Sequence, residues 1–131
     1  MFLEKQDIIN LKNIIYKDIN KIDLSLSGHP VLIICVTETH FYYLTISSSS
    51  NKTLHRNVNQ HFILKKNRDN GLKAPMNYIN LKNIYKQEVN SYIPYGFVNN
   101  LLFKKIISAL EYYQENVVMD NLYLEVKNKI R

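Results

Sequence analysis

A chain of 131 residues corresponds to one domain of the usual ~100–200 residues, which argues against an enzyme with a separate cofactor-binding domain; a single domain over residues 1–131 is expected. With 46% hydrophobic and 21% charged residues and only 3 glycines, it is too apolar for a disordered tail and too glycine-poor for a phosphate-cradling loop, and reads as a soluble globular protein. The net charge of +6 favours polyanionic partners without naming one.

In chain order, Ile8, Leu11, Ile15, Ile19 and Ile22 follow steps of three and four behind Asp7, which predicts an amphipathic N-terminal helix. Pro30-Val31-Leu32-Ile33-Ile34-Cys35-Val36 is a continuous apolar, β-branched run, expected as a strand buried on both faces. Thr37-Glu38-Thr39-His40 reads as a turn, and Phe41-Tyr42-Tyr43-Leu44-Thr45-Ile46 as the second strand of an antiparallel hairpin. The Ser47–Asn51 cluster ends it.

His61-Phe62-Ile63-Leu64 is a third expected strand, followed by a turn over Asn67-Arg68-Asp69-Asn70-Gly71. Alternation over Tyr78–Leu81 marks a fourth. After the stop at Pro94-Tyr95-Gly96, residues Leu101, Leu102, Ile106, Ala109, Leu110 and Tyr113 recur at helical spacing, predicting a helix over Val98–Gln114. Residues 117–130 are compatible with helix or strand. The expected class is α+β: a small antiparallel, barrel-like sheet with flanking helices and a long helix near the C-terminus.

The charge is localised. Lys52, Arg56, Lys65, Lys66, Arg68 and Lys73 face one acid, Asp69, so most of the net positive charge falls between residues 52 and 73. His55, His61, Asn57 and Asn59 lie in the same stretch, with Phe41, Tyr42 and Tyr43 just before it. Cations, amides and aromatic rings are the groups that bind single-stranded nucleic acid, although a solvated loop would use the same lysines.

Enzymatic motifs are few. Cys35 is the single cysteine, which excludes an intramolecular disulfide and a multi-cysteine metal site and suggests an intracellular compartment. His29, His40, His55 and His61 have no metal-ligand spacing, and Glu38, Asp69 and Glu88 form no close pair. No cofactor is expected. The longest apolar run is far short of the ~18 residues that span a bilayer, so a cytoplasmic protein without a membrane partner is expected.

Hydroxyl, imidazole and cation chemistry remains. An antiparallel pairing of the first hairpin brings His29 to the edge where Ser47 and Ser48 lie. RNA cleavage requires a base for the 2′-OH, an acid for the departing 5′-oxygen and donors for the phosphorane charge. His29 can act as acid or base, Ser47 or Ser48 as hydrogen-bond donor, and Lys52 or Arg56 as charge partner; each also has an ordinary role as loop, turn or surface residue.

These segments resemble a known family. Gly28-His29-Pro30-Val31-Leu32-Ile33-Ile34 resembles the G-x-R-P-V-L-V-I first strand of the MazF/PemK toxins, and Tyr43-Leu44-Thr45-Ile46-Ser47-Ser48 their second strand. The order from Leu72-Lys73 through Tyr78–Tyr85 to a Pro-Gly turn and an amphipathic helix is also similar, and Ser48…Lys52…His55-Arg56-Asn57-Val58 resembles the ToxN and AbiQ branch. Coverage runs over roughly residues 25–115.

The resemblance implies a metal-independent endoribonuclease that cuts single-stranded RNA to a cyclic phosphate and a 5′-hydroxyl. It also implies a cognate antitoxin, RNA being favoured over protein, and a homo-oligomer or toxin–antitoxin assembly. The implied catalytic residues are His29, Ser47, Ser48 and Lys52, with His55, Arg56, Asn57, Lys65, Lys66, Arg68 and Lys73 as RNA contacts. His29 stands where the family has arginine; a titrating imidazole replaces a permanent charge, so either His29 is an acid/base or the role has moved to Lys52, His55 or Arg56, or cleavage is lost. Two other readings are a non-catalytic RNA-binding module and a protein-interaction domain displaying some of the 10 tyrosines.

Overall fold

The protein is described from a computed structural model, over residues 3–12, 14–17, 28–48 and 60–131. Among these residues seven strands and two helices follow one another: β1 (Asp7–Leu11), β2 (His29–Val36), β3 (His40–Ser48), β4 (His61–Lys65), β5 (Met76–Asn80), β6 (Tyr85–Glu88), β7 (Gly96–Phe97), α1 (Asn100–Asn116) and α2 (Asn121–Val126). Their pairings are antiparallel, in the order β4-β5-β3-β2-β1-β7, with β6 also on β3. The architecture is thus an α+β half-barrel with its long helix near the C-terminal end. Among the described residues no helix is long and apolar enough to cross a membrane.

The hairpin of β2 and β3 is the centre of the sheet. Leu32, Ile34, Leu44 and Ile46 enter one apolar cluster with α1 and α2, while Val31, Ile33, Phe41 and Tyr43 enter a second with Ile9, Leu11 and Ile14. A two-sided burial explains the unbroken apolar run that this pair carries. A register shift between Ile33 and Cys35 marks an irregularity in β2, and burial pushes the nearby Cys35 thiol upward in pKa.

The N-terminal expectation is corrected. Asp7–Leu11 is a strand, not the first turn of a helix. Ile8 joins the cluster under α1 while Ile9 and Leu11 join the opposite one, so adjacent isoleucines are buried on opposite faces, as only extended backbone allows. Ile15 is 59% exposed, which removes it from the predicted apolar stripe; Ile19 and Ile22 lie outside the described residues.

Elsewhere the expected third and fourth strands, the turn and the long helix are present as β4, β5, residues 68–70 and α1. Strands β6 and β7 were not anticipated. The ambiguous C-terminal segment holds α2, where Asp120 accepts from Leu122 N at 2.8 Å as the N-cap.

Gln114, 1% exposed, ties the layers together. Its Nε2 donates to Leu81 O and Lys82 O at 2.8 and 2.9 Å, and its Oε1 accepts from Asp120 N at 2.8 Å, which satisfies a buried amide on three sides. Asp120 also accepts from Ile84 N and Lys17 Nζ.

Aromatic packing fills the second cluster. Tyr43 and Tyr85, register partners across β3 and β6, stack with centroids 5.3 Å apart and planes 14° from parallel; Phe41 meets Tyr92 edge-on at 5.6 Å. Such pairs contribute about 0.5–1.5 kcal/mol beyond burial. Burial first, then the neighbouring phenols Tyr85, Tyr16 and Tyr92, drive the Tyr43 pKa far above the usual tyrosine value.

A raised phenol pKa stabilises the fold fully below the unfolded value near 10; the contribution disappears as pH rises, because the unfolded chain releases its proton first. Urea denaturation should therefore show stability declining above about pH 10, by up to ~1.4 kcal/mol per pH unit for each such group. Tyr43→Phe, which keeps the ring, should make that decline shallower.

Candidate nucleic-acid interface

Register determines what the sheet presents together. β1 pairs with β2 through Leu11↔His29, and β3 pairs with β5 through Ser47↔Tyr78 and Ser48↔Asn77. β5 in turn pairs with β4 through Ile63↔Tyr78 and Lys65↔Met76. The β2–β3 ladder ends at Val31↔Thr45; two further steps in the same register bring His29 level with Ser47. Ser47, Tyr78 and Ile63 are paired across β3, β5 and β4 at the ~4.8 Å spacing of neighbouring strands, and the continued β2–β3 register adds His29 to the same row.

Alternation assigns the faces. His29 shares the face of Val31 and Ile33, and Ser47 that of Thr45 and Tyr43, whereas Ser48 belongs with Ile46 on the face under the helices. His29, Ser47 and Tyr78 are half-buried and Ile63 is 44% exposed. This row thus combines an imidazole, a hydroxyl, a phenol and an aliphatic surface. Ser48, although adjacent in sequence to Ser47 and exposed, is directed to the other face.

The cations cluster beyond the row. Because β5 begins beside the end of β3, the β4–β5 connection emerges at the same end of the sheet as Ser47 and Ser48. It carries Lys65, Lys66, Arg68 and Lys73, all exposed. Lys52, His55, Arg56 and Asn57 lie outside the described residues.

That connection is held by buried polar geometry. Asn70, 0% exposed, donates from Nδ2 to Lys65 O at 2.9 Å and accepts at Oδ1 from Leu72 N at 3.1 Å. Asn67 Oδ1 accepts from Asp69 N and Asn70 N, both at 2.9 Å, an Asx turn within the loop. Phe97 N donates to Asp69 O at 3.0 Å, joining the loop to β7. A Cβ on Gly96 would lie 2.1 Å from Asn70 O, so no side chain fits at that position. Lys66 N donates to Pro75 O at 3.0 Å across the base of the loop. The four cations therefore sit on a braced support.

One sequence reading changes here. Phe41, Tyr42 and Tyr43 are 0%, 5% and 4% exposed; their rings are core and offer no base a stacking surface. Tyr42 instead donates from its hydroxyl to Glu125 Oε1 at 2.9 Å. The exposed-capable ring in the row is Tyr78, which meets His61 edge-on at 6.4 Å. Alternation in the sequence marks Tyr78 as a strand residue, but only its register with Ser47 makes it part of the site.

Among the described residues no three His, Cys, Asp or Glu side chains converge to hold a metal ion. No family model matches the chain, and no curated protein matches it.

Asn70→Ala should lower stability by about 3 kcal/mol in chemical denaturation, since buried backbone groups lose their partners. Gly96→Ala should be at least as damaging through its clash with Asn70. A change below about 0.5 kcal/mol in both, within the range of ordinary surface substitutions, would show that the loop is not braced in this way.

Proposed function

We propose that this protein is a single-stranded-RNA endoribonuclease. The observation that carries the reading is the β2–β3 register, which, continued two residues past Val31↔Thr45, aligns His29 with Ser47 at the end where Lys65, Lys66, Arg68 and Lys73 emerge. The resemblance of Gly28–Ile34 and Tyr43–Ser48 to the two strands of the MazF/PemK toxins supports the same activity. With it come the finer parts of the proposal: a MazF-type barrel, a toxin role in the cytoplasm, and a cognate antitoxin, RNA in preference to protein.

In this reading the RNA backbone lies along the basic connection, and Tyr78 supports a splayed base. Cleavage is transesterification. The 2′-oxygen attacks the adjacent phosphorus as its proton passes to a base, the P–O5′ bond breaks, and an acid protonates the departing 5′-oxygen, leaving a 2′,3′-cyclic phosphate and a 5′-hydroxyl. His29 supplies the imidazole and serves as the acid or base. Ser47 donates a hydrogen bond to the phosphorane oxygen, and Lys52 with the other cations balances its charge. Ser48, on the opposite face, is assigned no part in the chemistry.

The test is incubation of purified protein with mixed-sequence single-stranded RNA in excess chelator, followed by mapping of the ends. Discrete cuts with 5′-hydroxyl ends are expected, slowed about 10²–10⁴-fold by His29→Ala. Ser47→Ala should slow them as well, and Ser48→Ala should not. Replacing Lys65, Lys66, Arg68 and Lys73 by alanine should weaken binding and make the slope of log affinity against log salt shallower by about 0.7 for each phosphate-pairing cation removed.

A non-catalytic RNA-binding module is the second reading, favoured by histidine at the position of the family's arginine. Intact RNA with a salt-sensitive mobility shift would select it. Intact RNA with no shift at low salt would reject both in favour of a protein-interaction domain.

A further inference from the structure

A cavity of about 700 Å³ lies away from the row of His29 and Ser47, between α1, the turn that leads into β1 and the C-terminal segment. Its floor is apolar, from Phe103, Ile107 and Ile130. Its lining is cationic, with Lys5 from the turn before β1, Lys104 from α1 and Arg131 from the C-terminal segment. The one acid in the lining, Glu111, accepts from Arg131 Nε at 2.8 Å, so the lining keeps a net positive charge. Ser108 adds a hydroxyl one helical turn beyond Lys104.

The wall that carries Lys5 is fixed by an unusual residue. Gln6 has φ of 83°, a left-handed conformation that side chains other than glycine rarely adopt. Four hydrogen bonds hold it: its N donates to Ile33 O at 2.8 Å, its O accepts from Val98 N at 2.9 Å, and its Nε2 donates to Val98 O and Asn100 Oδ1 at 2.8 and 2.9 Å. Gln6 thereby joins β2, β1 and the start of α1, and the fold sustains a strained backbone directly beside the lysine of the cavity lining.

We propose that this cavity binds a small amphipathic anion, an apolar body bearing one carboxylate, sulfonate or phosphate. Charge complementarity selects the anion, and the floor selects the apolar body. The volume falls within the ~300–1,000 Å³ of small-molecule sites. The anionic group sits between Lys5, Lys104 and Arg131, with Ser108 donating to it, while the body lies on Phe103, Ile107 and Ile130. None of these residues belongs to the proposed RNA site, so the inference stands or falls apart from it.

The experiment is a fluorescence titration of the full chain with 8-anilinonaphthalene-1-sulfonate, followed by displacement with dodecanoate, dodecanol or dodecyltrimethylammonium. Saturable 1:1 binding is expected, displaced by dodecanoate at concentrations at least tenfold below those of the alcohol or the cation. Lys5→Glu and Lys104→Glu, both at exposed positions, should each weaken it tenfold or more. Ser108→Trp, also at an exposed position, should block entry and leave the circular-dichroism spectrum unchanged. Equal displacement by dodecanol, or unaltered binding in all three variants, would overturn the proposal. Displacement by single-stranded RNA in place of dodecanoate would also overturn it, by making the cationic lining part of a polynucleotide surface. An acidic peptide that competes better than dodecanoate would overturn it in favour of a protein partner.

Discussion

Strand β3 changes partner along one of its edges, and much of the molecule follows from that exchange. Its other edge is committed to β2 over Phe41–Thr45, while this edge serves β6 over His40–Tyr43 and β5 over Ile46–Ser48. The change of partner falls at Leu44 and Thr45, between the β6 register and the β5 register. The connection between β5 and β4 reaches β7, where Phe97 N donates to Asp69 O. Both faces of β3 are buried, so the register is strongly fixed: a slip by one residue would exchange Phe41 and Tyr43 with Tyr42 and Leu44 between two differently shaped clusters.

Function, in the reading offered here, inherits this constraint. Ser47 comes after the exchange point and His29 begins β2 on the other edge, each two residues beyond the last pair of the central ladder, Val31↔Thr45. The cations arrive by another route, on a loop whose shape comes from Asn67, Asn70 and Gly96. Charge and chemistry are thus supplied by separate parts of the structure, and substitutions on the surface of the loop can alter one without disturbing the other.

What could be read in advance has a physical pattern. Val31–Val36 and Phe41–Ile46 were legible as strands because β-branched and aromatic residues dominate both runs, and α1 because its apolar period was sustained over several turns. The N-terminal segment was misread because Ile8 and Leu11 share a helical spacing, while the neighbouring Ile9, whose burial requires extended backbone, carries the decisive information. β6 is Tyr-Lys-Gln-Glu, polar and short; it becomes a strand through its pairing with β3, which no local pattern encodes. At the site, His29 and Ser47 could be placed at one edge from the hairpin alone. Tyr78 could not, since its relevance depends on β5 lying beside β3. The rings of Phe41–Tyr43 were misassigned because composition reports that a ring is present, not which way it faces.

Cys35, 5% exposed within β2, is the chain's single thiol. It is the penultimate residue of that strand, beside the register shift, so a disulfide reagent reaches its buried sulfur when the turn end of the β2–β3 hairpin opens. Its modification rate in native buffer, divided by that of a free cysteine, therefore reports the population of those openings when reclosure is fast. Followed against urea, the same ratio separates local fraying of the strand from global unfolding. The protein carries its own site-specific clock for the opening of that end of its central hairpin, and no label has to be engineered.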